Sequence, residues 1–223
     1  SNTDLSNTDL SNTDLFRADL SNTDLSNTDL SNANLYNANL SNANLSNANL
    51  GYAYLRDAIL TGADLTGANL TNASPRNANL RYSILDYANL TNANLNGADL
   101  SNADLRRANL SGADLTGANL SNAYLTGADL SNADLTGANL SGADLGVVDL
   151  SSAIMTGVRA LDLRMCPPVL PTNWQCTQNN LVGPYADLNG ADLIGANLSN
   201  TDLSNTDLSN ANLNYVHAIN LLG

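Results

Sequence analysis

The 223-residue sequence has no lysine and no glutamate: all eight basic residues are Arg and all 21 acidic residues are Asp. Without lysine there is no amine nucleophile, no Schiff base and no phosphate-loop lysine. The net charge of −13 opposes coating of nucleic acid, because each phosphate contact needs a cation. It equally opposes adsorption to an anionic membrane. No apolar run approaches the roughly 20 residues of a membrane-spanning helix. There is one His, one Trp and one Phe. His217, alone in the tail, leaves no Ser–His–Asp or Cys–His unit to assemble. Two Cys and a distant His fall short of a structural zinc site. The sequence thus offers no catalytic residue, no metal and no cofactor. It reads as non-enzymatic, with no direct nucleic-acid contact and no membrane insertion.

What is present is a period of five. From Leu5 to Leu150 every fifth residue is Leu, except at Pro75. Two residues before nearly every Leu (position i) stands Ala or Thr, and between them usually Asp or Asn. Neither the helical period of 3.6 nor the strand period of 2 fits. Leu every fifth residue would rotate around a helix and give no stripe. Positions i−2 and i point the same way in an extended segment, which sets two side chains inward and i−1 outward. The remaining two residues must turn the chain. Gly and Asn alternate at i+2 (Gly62, Gly67, Asn92, Gly97), marking a backbone position at positive φ. Four such corners close a square coil, and coils stack about 4.8 Å apart. The Thr of the SNTDL words sits at i−2 and points inward, so it offers no ice-binding ladder.

The pattern breaks in three places. From Val147 the inward positions become irregular, running Val148, Met155, Val158, Ala160, Leu163 and Met165. Residues 166–185 leave the repeat and carry Pro167, Pro168 and Pro171, which cannot donate ladder bonds. The Leu period resumes at Leu188 in a shifted frame. This predicts a solenoid over 1–165, an inserted loop over 166–185, continuation over 186–213 and a cap over 214–223, all one domain. The N-terminal coil carries no cap, which admits end-to-end stacking on another chain.

The A(D/N)LXX words over 1–165 and 186–213 resemble the pentapeptide-repeat family. The resemblance implies an all-β fold, a right-handed quadrilateral β-helix with i and i−2 inside. TGADL and SNANL words, with LPTNWQ (170–175) and LVGP (181–184), are similar to cyanobacterial members of the family. One family function is mimicry of DNA, an acidic rod that occupies gyrase or another topoisomerase. Members with that role favour Phe at the inward i position, whereas Phe16 here is outward at a corner. Asp columns do occur, pairing Asp4 with Asp24, Asp9 with Asp29, Asp114 with Asp134 and Asp129 with Asp149, but Asn interrupts most of them.

Residues twenty apart are neighbours on adjacent coils. This sets Asp86 beneath Arg106 as an ion pair, Tyr87 beneath Arg107 as a cation–π contact, and Phe16, Tyr36, Arg56 and Arg76 in one column. Residues 51–110 hold five of the eight Arg and four of the eight Tyr, types enriched at binding hot spots. The candidate partner-binding residues are Tyr52, Tyr54, Arg56, Arg76, Arg81, Tyr82, Tyr87, Arg106 and Arg107. They occupy several corners, which equally fits surface decoration. Trp174 in the loop has two readings, a partner contact or an anchor pinning the loop to the solenoid. Cys166 and Cys176 also have two. As a disulfide they close a ring worth on the order of 3 kcal/mol and suit an oxidising thylakoid lumen or periplasm; as separate thiols they suit the cytoplasm. The expected function is a rigid docking scaffold for a protein partner, such as a large multi-subunit cyanobacterial assembly. The acidic DNA mimic and a passive spacer are the alternatives.

Overall fold

A computed structural model describes residues 3–221. Each repeat is three near-extended residues followed by a two-residue turn. The Leu25 N–H donates to the Asn44 carbonyl at 2.7 Å, and the Asn44 N–H donates to the Thr23 carbonyl at 3.0 Å. Parallel rungs of this kind recur twenty residues apart, from Asp4–Asp24 to Asn197–His217. They build the right-handed quadrilateral β-helix that the repeat implied. We number its faces by their inward Leu columns: Leu5 to Leu145 the first, Leu10 to Leu150 the second, Leu15 to Leu135 the third, Leu20 to Leu140 the fourth.

The inward ladders make the core. Leu25 through Leu70 and Leu80 through Leu145 are at most 1% exposed, with the Ala at i−2 packed between them. Several inward Thr hydroxyls find backbone acceptors, as Thr28 Oγ1 does on the Leu5 carbonyl at 2.9 Å, whereas the buried Thr201 Oγ1 finds none. Corners turn on a left-handed residue at i+2, where Gly and Asn sit without difficulty. Tyr52, Tyr82, Tyr87 and Arg107 adopt the same conformation at φ of 58° to 59°. Pro75 lies inward and buried, but has no N–H to give, and the Ser74–Asn94 rung is absent from the ladder.

Three expectations need correction. Asp4–Asp24, Asp9–Asp29 and Asp114–Asp134 are ladder partners, but Asp129–Asp149 is not. Val148 replaces the smaller Ala there, and the Asn132 N–H turns to Ser152 Oγ at 3.1 Å instead. The described part of the tail continues the solenoid. Residues 214–218 form one more repeat, with Val216 and Ala218 at the inward positions: the His217 N–H donates to the Ala196 carbonyl at 2.9 Å, and the Leu198 N–H to that of His217 at 2.8 Å.

The third correction concerns the insert. It contains an antiparallel hairpin, β1 (Gln175–Thr177) and β2 (Asn180–Val182). Gln178 and Asn179 form its left-handed turn, at φ of 49° and 58°. β2 is buried throughout. The Leu181 N–H donates to the Ala160 carbonyl at 2.9 Å, and Asn180 Nδ2 to the Asp192 carbonyl at 3.1 Å. β2 is therefore a layer of the solenoid, laid between two coils, with the core divided there into two clusters. Above it the register has slipped: the Asp187 N–H donates to the Val158 carbonyl at 3.0 Å.

The corners also predict a pH response. The Asp4, Asp9, Asp19 and Asp149 carboxylates lie below the usual carboxylate range, because the hydroxyl and then the backbone N–H of the Ser two residues on hydrogen-bond the charged form. Depressed folded-state values stabilise the fold above the unfolded range near 4, and that stabilisation is lost as pH falls through the folded values. In about 0.15 M salt, which screens repulsion beyond roughly 8 Å, the melting temperature should fall on acidification from about pH 5 to about pH 2. A melting temperature that rises over that range would contradict this account.

Candidate functional site

The ladder sorts the candidate residues onto opposite sides of the rod. Arg81, Tyr82, Tyr87, Arg106 and Arg107 flank the first face. Tyr54, Arg56 and Arg76 lie on the third face or its following corner, and Tyr52 turns the corner between second and third.

On the first face the outward column runs Ile84, Asp104, Tyr124, Asp144, Met165. Tyr82, Ile84, Asp104, Arg106 and Tyr124 border an open groove of about 370 Å³, with Ser83 in its floor. Ser83 replaces the usual inward Ala and settles its hydroxyl on the Leu80 carbonyl at 2.7 Å. Arg164 lies 4.5 Å from the Tyr124 ring centroid and extends the surface upward. Sequence reasoning missed Ile84, Tyr124 and Arg164, and took Met165, which is exposed in the outward column, for an inward residue. The first two were available from the twenty-residue spacing. Met165 was hidden because it pairs with Asp144, 21 residues back.

Arg106 and Arg107 are internally matched. Arg106 does not pair with Asp86, as the stacking arithmetic proposed. Its Nε donates to Asp104 Oδ1 at 2.8 Å and its NH2 to Asp104 Oδ2 at 2.5 Å. Asp104 already accepts the Arg106 backbone N–H, so the side chain closes on a carboxylate held within its own turn. Asp86 is taken by Arg107, whose Nε donates to Oδ1 at 3.0 Å. Arg107 also stands 4.1 Å from the Tyr87 ring centroid, as expected, and donates to its hydroxyl at 2.8 Å. The hydrogen bond from Arg106, against partial burial, holds the Asp104 carboxyl below its ordinary range. The same bonds push Arg106 and Arg107 upward.

The corner after the third face carries the expected column. Phe16 and Tyr36 stack at 5.6 Å, Arg56 lies 5.9 Å from the Tyr36 centroid, and Arg76 follows one coil on. Tyr36, Tyr54, Arg56, Asn34 and Ser74 border a depression of about 500 Å³.

The pentapeptide-repeat model matches in eight copies, over residues 1–151 and 186–217. The chain belongs to the pentapeptide-repeat family. It is similar to HetL, a pentapeptide repeat protein involved in heterocyst differentiation regulation from the cyanobacterium Nostoc sp. strain PCC 7120. The two are 32% identical at a TM-score of 0.69, covering 97% of this chain and 89% of HetL. It is also similar to a trypsin-treated form of QnrB1, a plasmid-mediated fluoroquinolone resistance protein, at 19% identity and a TM-score of 0.59 over 98% of this chain and 91% of that one. At that identity the likeness is one of fold. No curated protein sequence gave a match.

Within this pentapeptide-repeat solenoid, the insert is fastened twice. Cys166 and Cys176 are joined as a disulfide, with Cα atoms 6.1 Å apart. Trp174 is half-buried and packs against both core clusters. Its ring lies over Gly183, where a Cβ would meet it at 2.3 Å. The geometry is that of an anchor.

Proposed function

We propose that this pentapeptide-repeat scaffold is a rigid docking module that presents its first-face groove to a protein partner. The observation that carries the reading is the groove itself. Tyr82, Ile84 and Tyr124 stand exposed together around it, on a rod whose outward positions are mostly Asp, Asn, Ser and Thr. Arg106 and Arg107 beside it are already paired with Asp104 and Asp86, so a partner covers the aromatic surface there without stranding either of those two charges. Solenoids offer such extended, preformed surfaces because each coil is held by its neighbours. Similarity to HetL, a protein involved in regulation, accords with a non-catalytic role. The gyrase-directed acidic mimic is less well supported, since Asn interrupts the Asp columns and Ile84 and Tyr124 interrupt the first face.

The test is affinity capture from a cyanobacterial lysate with wild-type, Tyr124→Ala and Asn109→Ala baits. A prey held by the wild type and by the second-face control Asn109→Ala, yet weakened about 30-fold by Tyr124→Ala, is the expected result for a hot-spot tyrosine. Capture of gyrase indifferent to Tyr124→Ala would transfer the function to the acidic surface.

A further inference from the structure

The third face has the opposite electrostatic character, and it carries an inference independent of the first-face groove. Its outward column reads Asp14, Asn34, Tyr54, Ser74, Asn94, Asp114. Four successive coils there offer no carboxylate, on a chain of net charge −13. The adjoining corner stacks Arg56 and Arg76 on consecutive coils, the Asp57 N–H donating to the Arg76 carbonyl. Arg56 meets Asp57 only at 3.4 Å and is half-exposed. Arg76 is exposed and forms no ion pair among the described residues. This contrasts with Arg106 and Arg107, which are fully matched. Ser74, the small residue beside Pro75, leaves the depression open between Tyr54 and Arg56.

We propose that this corner is a second docking site, for an extended acidic segment of a protein partner. Carboxylates two residues apart on an extended peptide lie about 7 Å apart, a separation that two long arginine side chains rising from adjacent coils can span. Arg76 is the free cation and Arg56 the second, while the Tyr36 and Tyr54 rings flank the peptide backbone. The charge complementarity is local. Asp57, 3.4 Å from Arg56, offsets part of that cation and leaves Arg76 as the main one. In the outward column Asp14 and Asp114 each lie two coils from the nearer edge of the Tyr54–Ser74 pair, about 10 Å by the strand spacing, beyond the screening length of roughly 8 Å at physiological salt. With the first-face groove on the opposite side, such a site would let the rod hold two partner elements at once.

The experiment is an NMR titration of the ¹⁵N-labelled full chain with tetraglutamate and, separately, with tetraglutamine. Tetraglutamate should shift resonances of Tyr54, Arg56 and Arg76, and its affinity should fall at least tenfold in Arg76→Gln. It should be largely kept in Arg76→Lys and unchanged in Tyr124→Ala. Arg76 is exposed, so the variants should keep the wild-type melting temperature, which is measured alongside. Equal shifts from tetraglutamine, shifts centred elsewhere, or no effect of Arg76→Gln would each overturn the proposal. So would displacement of the peptide by an equal concentration of inorganic phosphate, which would make the corner a site for free anions.

Discussion

Replacing Trp174 by Ala should lower stability by about 2–4 kcal/mol, toward the lower part of the range for large aromatic truncations because the ring is only half-buried. The loss should be uneven. Trp174 packs against both the long N-terminal core and the smaller cluster of Leu161, Val182 and Ala186 to Leu198. In a solenoid each layer is stabilised chiefly by its neighbours, so weakening this joint releases the coils above it and spares those below. Amide exchange should speed up over residues 186–218 and stay slow over 30–140. Gly183→Ala should reproduce the pattern, since its Cβ would collide with the same ring at 2.3 Å. Uniform acceleration along the whole chain, or none above the insert, would show that the insert is not the joint.

Ile84 and Leu85 make the second large contrast. They are adjacent and nearly equal in volume. Leu85 is fully buried among the inward Leu ladders, while Ile84 is 41% exposed at the rim of the groove. Leu85→Ala should cost about 2–5 kcal/mol, the lost transfer energy plus a cavity that a ladder-bonded backbone cannot collapse. Ile84→Ala should cost about 0.5 kcal/mol or less, yet weaken partner capture at the groove. Chemical denaturation read beside capture separates the two. Comparable losses of stability would mean that the alternation of inward and outward residues is not what organises this region.

Much of this was legible beforehand because the repeat is a local device. Ala at i−2 and Leu at i fall on one side of any three-residue extended segment, and Asn or Gly at i+2 favours the corner. The twenty-residue coil then placed Phe16, Tyr36 and Arg56 in a column, and Tyr87 under Arg107. The same arithmetic misassigned Arg106. Stacking says which backbone positions are neighbours, but not which of two carboxylates within reach a flexible guanidinium takes. Asp104, tethered to the Arg106 N–H, won over Asp86, and Asp86 was left to Arg107. Tyr124 was within the arithmetic but outside the 51–110 stretch where Arg and Tyr are dense.

The sequence by itself determined the solenoid, its inward and outward positions and its corners, because each depends on contacts within one repeat or on a fixed period. Beyond the point where that period slips, tertiary structure alone decided the arrangement of the chain. Met165 pairs 21 residues back, and Asp187 stands over Arg159, 28 residues on. β2 entered the core as a layer because its buried Leu181 and Val182, its free backbone groups and the Asn180 amide found partners in the coils on either side. β2 itself lies outside any repeat, so no count along the chain could place it.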